Sequence, residues 1–354
     1  MKTLDAADEA SALEDLHALG CTDGLPVVVP TPDRVDRMVL ASGMDPDGVL
    51  GELGPLGGVA TVGVVAANAV MAGCLPDHLP VVLAAVRAVA QPPFDLGEMQ
   101  STTHCTAPLV IVHGPVVESC GIAGGFGALG PGHRANASIG RALRLCMINI
   151  GGARPGVSDM ALLGHPGKFT YCLGEDPALS PWEPMHVDWG YRSDQSAVTV
   201  VGAEPPHSTL FVGDADDPGS ADRLLDTLAA VIANVGSNNA HFRGGVVTVV
   251  LNPDHAAVLA EAGMDRAKVR EVLAERATNP RSAIAALNPA FAGDGDPDDP
   301  IRAVPDPADL LVLVAGGPGL YSVVMPSWAA GPHRNPAVHE PVDLDQACAV
   351  PWAQ

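Results

Sequence analysis

Two phrases far apart in the chain, "GLPVVVPTPD" (Gly24–Asp33) and "GVVTVVLNPD" (Gly245–Asp254), align without a gap, and this repetition constrains the fold more than any other feature. Each joins an apolar run to a Pro-Asp pair, which reads as a strand, a turn and an acid opening a helix. Both run on into near-identical words, "VLASGMD" (Val39–Asp45) and "VLAEAGMD" (Val258–Asp265), where a glycine stops the helix and an aspartate caps the next. A longer echo follows the same order. "LPVVLAAVRAVA" (Leu79–Ala90), "STTH" (Ser101–His104) and "PLVIVHGP" resemble "LLDTLAAVIANV" (Leu224–Val235), "SNNAH" (Ser237–His241) and "VVTVVLNP". Downstream, "DMALLGHPGKFTYCL" (Asp159–Leu173) aligns with "DLLVLVAGGPGLYSVVM" (Asp309–Met325). Helix, polar loop, strand, helix and strand thus occur twice, which predicts a duplicated α/β unit with mixed sheets in two pseudo-symmetric halves. The expected organisation is an acidic N-terminal helix (residues 1–20), a first α/β half (21–200) and a second (201–354).

The chain is long enough for such an arrangement, with 354 residues of which 47% are hydrophobic. Only 4% are aromatic, so the core must be Val, Leu and Ala. The 39 glycines and 33 prolines punctuate apolar segments, which reads as many turns rather than disorder. Acids outnumber bases 41 to 19, and that surface repels phosphate backbones, so nucleic acid is not an expected partner. No apolar run reaches the ~20 residues of a membrane span. The acidic N-terminus is unlike a signal peptide, which predicts a cytoplasmic protein. Its 7 cysteines, without CxxC spacing, then read as reduced thiols. Association into a homo-oligomer is left open.

Chemistry is expected where the two copies differ. His165, Lys168 and Cys172 align with Gly317, Leu320 and Val324, so the first copy carries ionisable groups where the second has none. A scaffold does not need that difference; a site built in one half does. "SPWEPMHVDWG" (Ser180–Gly190) adds Glu183, His186 and Asp188, with Trp182 and Trp189 to shield them. His104, His165 and His186 are candidate ligands for a divalent transition metal such as Zn, Fe or Mn, although no HExxH or HxH spacing brings them together. Without a metal, the same groups serve as general acid and base, and Lys168 holds a substrate carboxylate. Cys105, beside His104, is a candidate thiolate nucleophile, as are Cys21 and Cys172. Ser101, Thr102, Thr103, Arg134, Asn136, Ser237, Asn238 and Asn239 are candidate substrate contacts in the polar loops. The glycine-rich stretch Gly121–His133 has neither GxGxxG nor GxxxxGK[ST] spacing, so no nucleotide cofactor is expected. The acidic "AGDGDPDDP" (Ala292–Pro300) lacks the spacing of a calcium loop.

The phrases "TDGLPVV", "NAVMAGC", "TTH", "RANASIGRALRL", "GGARPG", "HPGK" and "SPWEP" resemble a largely uncharacterised bacterial family, described near proteins that bear a UGSC selenocysteine or cysteine motif. The resemblance runs from about Thr22 to Trp328. It implies a bacterial enzyme with site segments at these phrases. In that family an aromatic residue is common where Cys21 stands, which shifts the emphasis to Asp23. No UGSC stretch is present, and "ESCG" (Glu118–Gly121) is not one, so a selenoprotein-like redox role does not carry over.

The sequence therefore predicts an enzyme acting on a small polar metabolite between two similar halves, by lyase or hydrolase chemistry. His104 and His165 would be acid/base groups or ligands, Lys168 the substrate anchor, and Asp23 and Glu183 the carboxylate partners. Cysteine-dependent redox or transfer chemistry, and non-catalytic ligand binding, are the alternatives.

Overall fold

A computed structural model describes residues 4–214 and 217–344. An α/β fold is built on two four-stranded mixed sheets, with two further two-stranded antiparallel sheets. In chain order the strands are β1 (Val49–Leu53), β2 (Gly58–Thr61), β3 (Ala107–His113), β4 (Cys172–Gly174), β5 (Ala197–Ala203), β6 (His207–Leu210), β7 (Val247–Leu251), β8 (Thr278–Pro280), β9 (Pro300–Arg302), β10 (Leu310–Val314), β11 (Tyr321–Met325) and β12 (Val338–Pro341). The sheets have the orders β12-β5-β3-β4 and β10-β7-β11-β6.

The pairings follow one scheme in both. β3 runs parallel to β4 and antiparallel to β5, which is antiparallel to β12. β7 likewise runs parallel to β10 and antiparallel to β11, which is antiparallel to β6. The second sheet is built from one stretch of chain, β6 to β11, whereas the first takes its edge strand β12 from beyond β11.

Strand alternation sorts the core into layers, because successive side chains point to opposite faces. On β3, Val110 and Val112 pack under the helices Val62–Ala72, Leu79–Ala90 and Arg134–Asn149. Leu109 and Ile111 face the other way, against Val250, Leu311, Leu313 and Met325 of the second sheet. The far side of that sheet, with Val247, Val249 and Val312, is covered by Ser220–Ile232, Pro253–Glu261 and Arg266–Arg276. Helices, sheet, sheet and helices therefore stack as four layers.

Several expectations are corrected. The repeated phrase is a strand only in its second copy. Residues 24–31 form no strand, since Pro26 and Pro30 lack backbone donors; the segment crosses the helix Val62–Ala72 through Val28 N–H to Met71 O at 3.1 Å. The helix Pro32–Ser42 follows as expected, with Gly43 left-handed at φ 65°. Asp265 caps Arg266–Arg276, but Asp45 opens only a turn before β1. The second long alignment equates Cys172 of β4, parallel to its neighbour, with Val324 of β11, antiparallel to its own. His165, Lys168 and Cys172 are thus not the structural counterparts of Gly317, Leu320 and Val324. The acidic N-terminal segment does hold a helix, Glu9–Ala18, capped by Asp8. Among the described residues no single helix is long and apolar enough to cross a membrane.

Candidate functional site

Three chain segments converge on one edge of the first sheet. His104 and Cys105 lie just before β3, Lys168 and Tyr171 just before β4, and Glu204 just after β5. The parallel β3/β4 and antiparallel β3/β5 pairings, with Ala107 opposite Ala203, put those three ends together. Glu204 accepts from His104 Nε2 at 2.9 Å, and the backbone carbonyl of Glu204 accepts the Tyr171 hydroxyl at 2.8 Å. His104 Nδ1 is buried without a hydrogen-bond partner within the protein. His165 accepts the Gly167 N–H at Nδ1, 3.1 Å away, so its proton sits on Nε2, which is also buried and makes no well-formed hydrogen bond, the Ala203 backbone being its nearest polar influence. Burial, with the charges of Lys168 and Arg144 adding to it, lowers the His165 pKa to about 4 and keeps the ring neutral at pH 7.

Lys168 connects this group to a cavity of about 420 Å³. Gly20, Asp23, Arg144, Arg154, Asp159 and Lys168 are among its walls. Asp159 is shared by two cations: Lys168 Nζ lies 2.7 Å from Oδ1 and Arg144 Nη1 3.4 Å from Oδ2. Arg144 also donates through Nε to the Lys168 carbonyl at 2.6 Å, while its Nη2 is buried and unpartnered. Burial, then the charge of Arg144, lowers the Lys168 pKa, and Asp159 opposes that fall. The pair therefore carries one positive charge more than its carboxylate neutralises, inside a chain of net charge −22.

Asp23 stands on the same wall with its carboxylate already committed. Arg141 grips it with Nε to Oδ2 at 2.7 Å and Nη2 to Oδ1 at 2.8 Å, the two-pronged fit that guanidinium and carboxylate favour. Arg141 also donates to Pro26 O at 2.9 Å, and Asn149 holds the Cys21 carbonyl at 2.9 Å. The Cys21–Pro26 loop is thus clamped to the helix Arg134–Asn149. In place of a carboxylate partner for the histidines, Asp23 is the anchor of a wall.

Of the expected catalytic residues, the fold gathers His104, Cys105, His165 and Lys168 around Glu204, while Asp23 lines the cavity that Lys168 also lines. Glu183 lies elsewhere, its side chain exposed and its carbonyl bound by Arg266. The expected metal set of His104, His165 and His186 is not brought together, because His186 belongs to the opposite edge of the sheet. There, one ligand atom each from His113, Glu175 and His186 lies within 4.8 Å of the others, the single such group among the described residues, and it could hold a metal ion.

Cys105 and Cys172 do not have the surroundings of nucleophiles. Burial, and then the charge of Glu204, raises the Cys105 pKa. Cys172 is fully buried and raised further.

Most expected substrate contacts are structural. Asn136 spends its amide on the glycine-rich loop, donating to Ala123 O and Ala128 O and accepting from Ala123 N. Ser101 donates to Gly97 O, Thr102 accepts from His104 N–H, and the Thr103 carbonyl accepts from Leu162 N–H. Arg134 donates to Gly73 O. Asn238 donates to Trp328 O and Asn239 to Gly244 O, and Ser237 precedes their helix, so all three serve the second half.

Glu204, Arg144 and Asp159 were not singled out by sequence reasoning. Arg144 is spaced one turn from Arg141 on an amphipathic helix, a signal that basic residues share a face. Glu204 and Asp159 carry no local pattern; Glu204 is placed by the pairing of β3 with β5, and Asp159 by the turn of its own loop against Arg154.

No protein-family model matches the chain, and no curated protein matches it at significant similarity.

Proposed function

We propose that this protein is an enzyme acting on a small, carboxylate-bearing metabolite by acid/base chemistry of the lyase or hydrolase type. The observation that carries the reading is the pair of buried cations, Arg144 and Lys168, sharing only Asp159 on a cavity wall beside two histidines that each keep a ring nitrogen without a well-formed hydrogen bond. A substrate carboxylate entering the cavity supplies the missing counter-charge, with Arg144 Nη2 as an unused donor.

His104 then acts as the base. Glu204 takes the Nε2 proton in a hydrogen bond and fixes the tautomer, so Nδ1 presents its lone pair to a substrate carbon acid or to a water. His165, neutral and carrying its proton on Nε2, serves as a hydrogen-bond donor to the oxygen on which charge develops. The raised pKa values of Cys105 and Cys172 weigh against thiol chemistry. Described cysteines are all unpaired, which supports a reducing, cytoplasmic setting.

The test is a thermal-shift and calorimetric screen of small mono- and dicarboxylates, followed by proton exchange of the bound acids in D₂O by NMR. Stabilisation by a carboxylate that is lost in Lys168→Met, with exchange lost in His104→Gln, is the expected result. Binding that survives Lys168→Met overturns the anchor. Binding without exchange or turnover in the wild type reduces the protein to a carboxylate-binding module.

A further inference from the structure

The second histidine–carboxylate group lies at the opposite edge of the same sheet, ~20 Å away along the seven residues of β3 at ~3.3 Å per residue. None of the chemistry proposed above uses it. His113 ends β3, Glu175 follows β4, and both sit on the face that looks toward the second sheet, as Ile111 and Leu173 do two residues earlier. His186 comes from the covering segment Met185–Trp189. All three are at most 1% exposed.

The hydrogen bonds define which atoms are available. His186 Nε2 faces the Arg192 carbonyl at 3.1 Å and so carries the proton, leaving Nδ1 a bare lone pair that is buried with no partner. Glu175 accepts the Met185 N–H at 2.8 and 3.0 Å, which fixes its plane, and Oε2 faces His113 Nδ1 at 2.8 Å. His113 Nε2 meets the Thr199 hydroxyl at 2.9 Å, and that hydroxyl also meets His339 Nδ1 at 3.0 Å.

The geometry points to a site for a divalent transition metal, zinc the best match, held by His113 Nδ1, His186 Nδ1 and Glu175 Oε2, with the fourth tetrahedral position left to a water. Two neutral imidazoles and a carboxylate suit zinc, whereas calcium and magnesium favour all-oxygen sets. On binding, the His113 proton leaves Nδ1 and the ring takes the other tautomer, with its proton on Nε2. Thr199, both donor and acceptor, reverses to receive that N–H and turns its own hydrogen to His339 Nδ1, which changes from donor to acceptor as that ring shifts its proton to Nε2. No net proton is lost. Each ligating imidazole then donates its second N–H, His113 to Thr199 and His186 to Arg192 O, the outer support that metal-bound histidines ordinarily have.

The surroundings close the site rather than open it. Trp189 stacks on His339 at 3.6 Å between ring centroids and meets His113 edge-on at 5.7 Å. Arg266, 3.7 Å from Glu175 Oε1, has its charge met by Asp188 at 3.2 Å. A metal here ties the 175–192 segment to the sheet edge, a stabilising role.

The experiment strips the full-length protein with a chelator, reloads it with zinc, desalts it through a weak chelator to clear the acidic surface, and measures bound metal. About one zinc per chain and a higher melting temperature than the stripped protein are expected. Glu175→Gln and His186→Gln should each lower retained zinc roughly tenfold or more. Wild-type protein that retains no zinc, or variants that retain the wild-type amount, overturn the site. Should either variant fail to fold, the wild type alone decides with cobalt(II). Visible d–d absorption that one equivalent of zinc abolishes supports the site; cobalt held without it, or displaced equally well by magnesium, overturns it. Because these readouts ignore carboxylates, they fail or succeed independently of the cavity.

Discussion

Replacing Asp159 by asparagine tests the electrostatics of the cavity directly. The substitution keeps the shape and removes the one charge that Arg144 and Lys168 share. All three side chains are largely buried, at 9%, 8% and 14% exposure, so solvent screens the change only weakly. Breaking a buried pair by deleting one partner costs about 3–5 kcal/mol. Lys168 is the most exposed of the three and can lose its proton, which favours the lower end, about 3 kcal/mol. For 354 residues, an unfolding entropy of ~2.1 cal/mol/K per residue converts that to a fall of about 4 °C in melting temperature. Urea denaturation and calorimetry at pH 7 measure both quantities. The double variant Asp159→Asn/Lys168→Met should recover a large part of the loss, since only one uncompensated cation remains. A loss below about 1 kcal/mol, or no recovery in the double variant, refutes the shared-charge reasoning.

Two further outcomes are expected. Asp23→Ala leaves Arg141 without its two-pronged partner, only 3% of the Asp23 side chain being exposed, and should cost about 3 kcal/mol while freeing the Cys21–Pro26 loop to proteolysis; equal protease resistance in the variant counts against the clamp. Burial and neighbouring cations hold His165 at a pKa of about 4, and burial brings His78 and His339 to about the same value. The native state keeps these rings neutral while the unfolded chain protonates them from 6.5 downward, so stability should fall as pH drops from 6.5 to 4 and then level off. Each ring contributes at most ~1.4 kcal/mol per pH unit, and His165→Gln should flatten the slope; an unchanged slope in equilibrium unfolding across that window contradicts the assignment.

How far the sequence could be read depended on whether a feature is local. The helix Leu79–Ala90 falls where the apolar run "LPVVLAAVRAVA" places it. His104 stands out in the polar loop before an apolar strand, and His165 and Lys168 stand out by the comparison of the two copies. "SPWEPMHVDWG" reads as a shielded loop, and Trp189 does cover a buried histidine group. The copy comparison that favoured His165 and Lys168, however, equated a parallel strand with an antiparallel one, an error invisible without the pairing partners.

The α/β class, the aliphatic core and the polar loops that carry ionisable groups are legible along the chain, because helix and strand periodicity are written within a few residues. The tertiary structure decided which ionisable groups meet. Glu204 reaches His104 across 100 positions, Asp23 reaches Arg141 across 118, and Glu175 reaches His113 across 62. Each meeting depends on the register and direction in which distant strands and helices pack, and those are set by the burial of whole sheet faces. The Cys21-Thr22-Asp23 stretch shows the division plainly: its acid was legible from the sequence, and its role as a clamp on Arg141 follows only from where the helix Arg134–Asn149 lies.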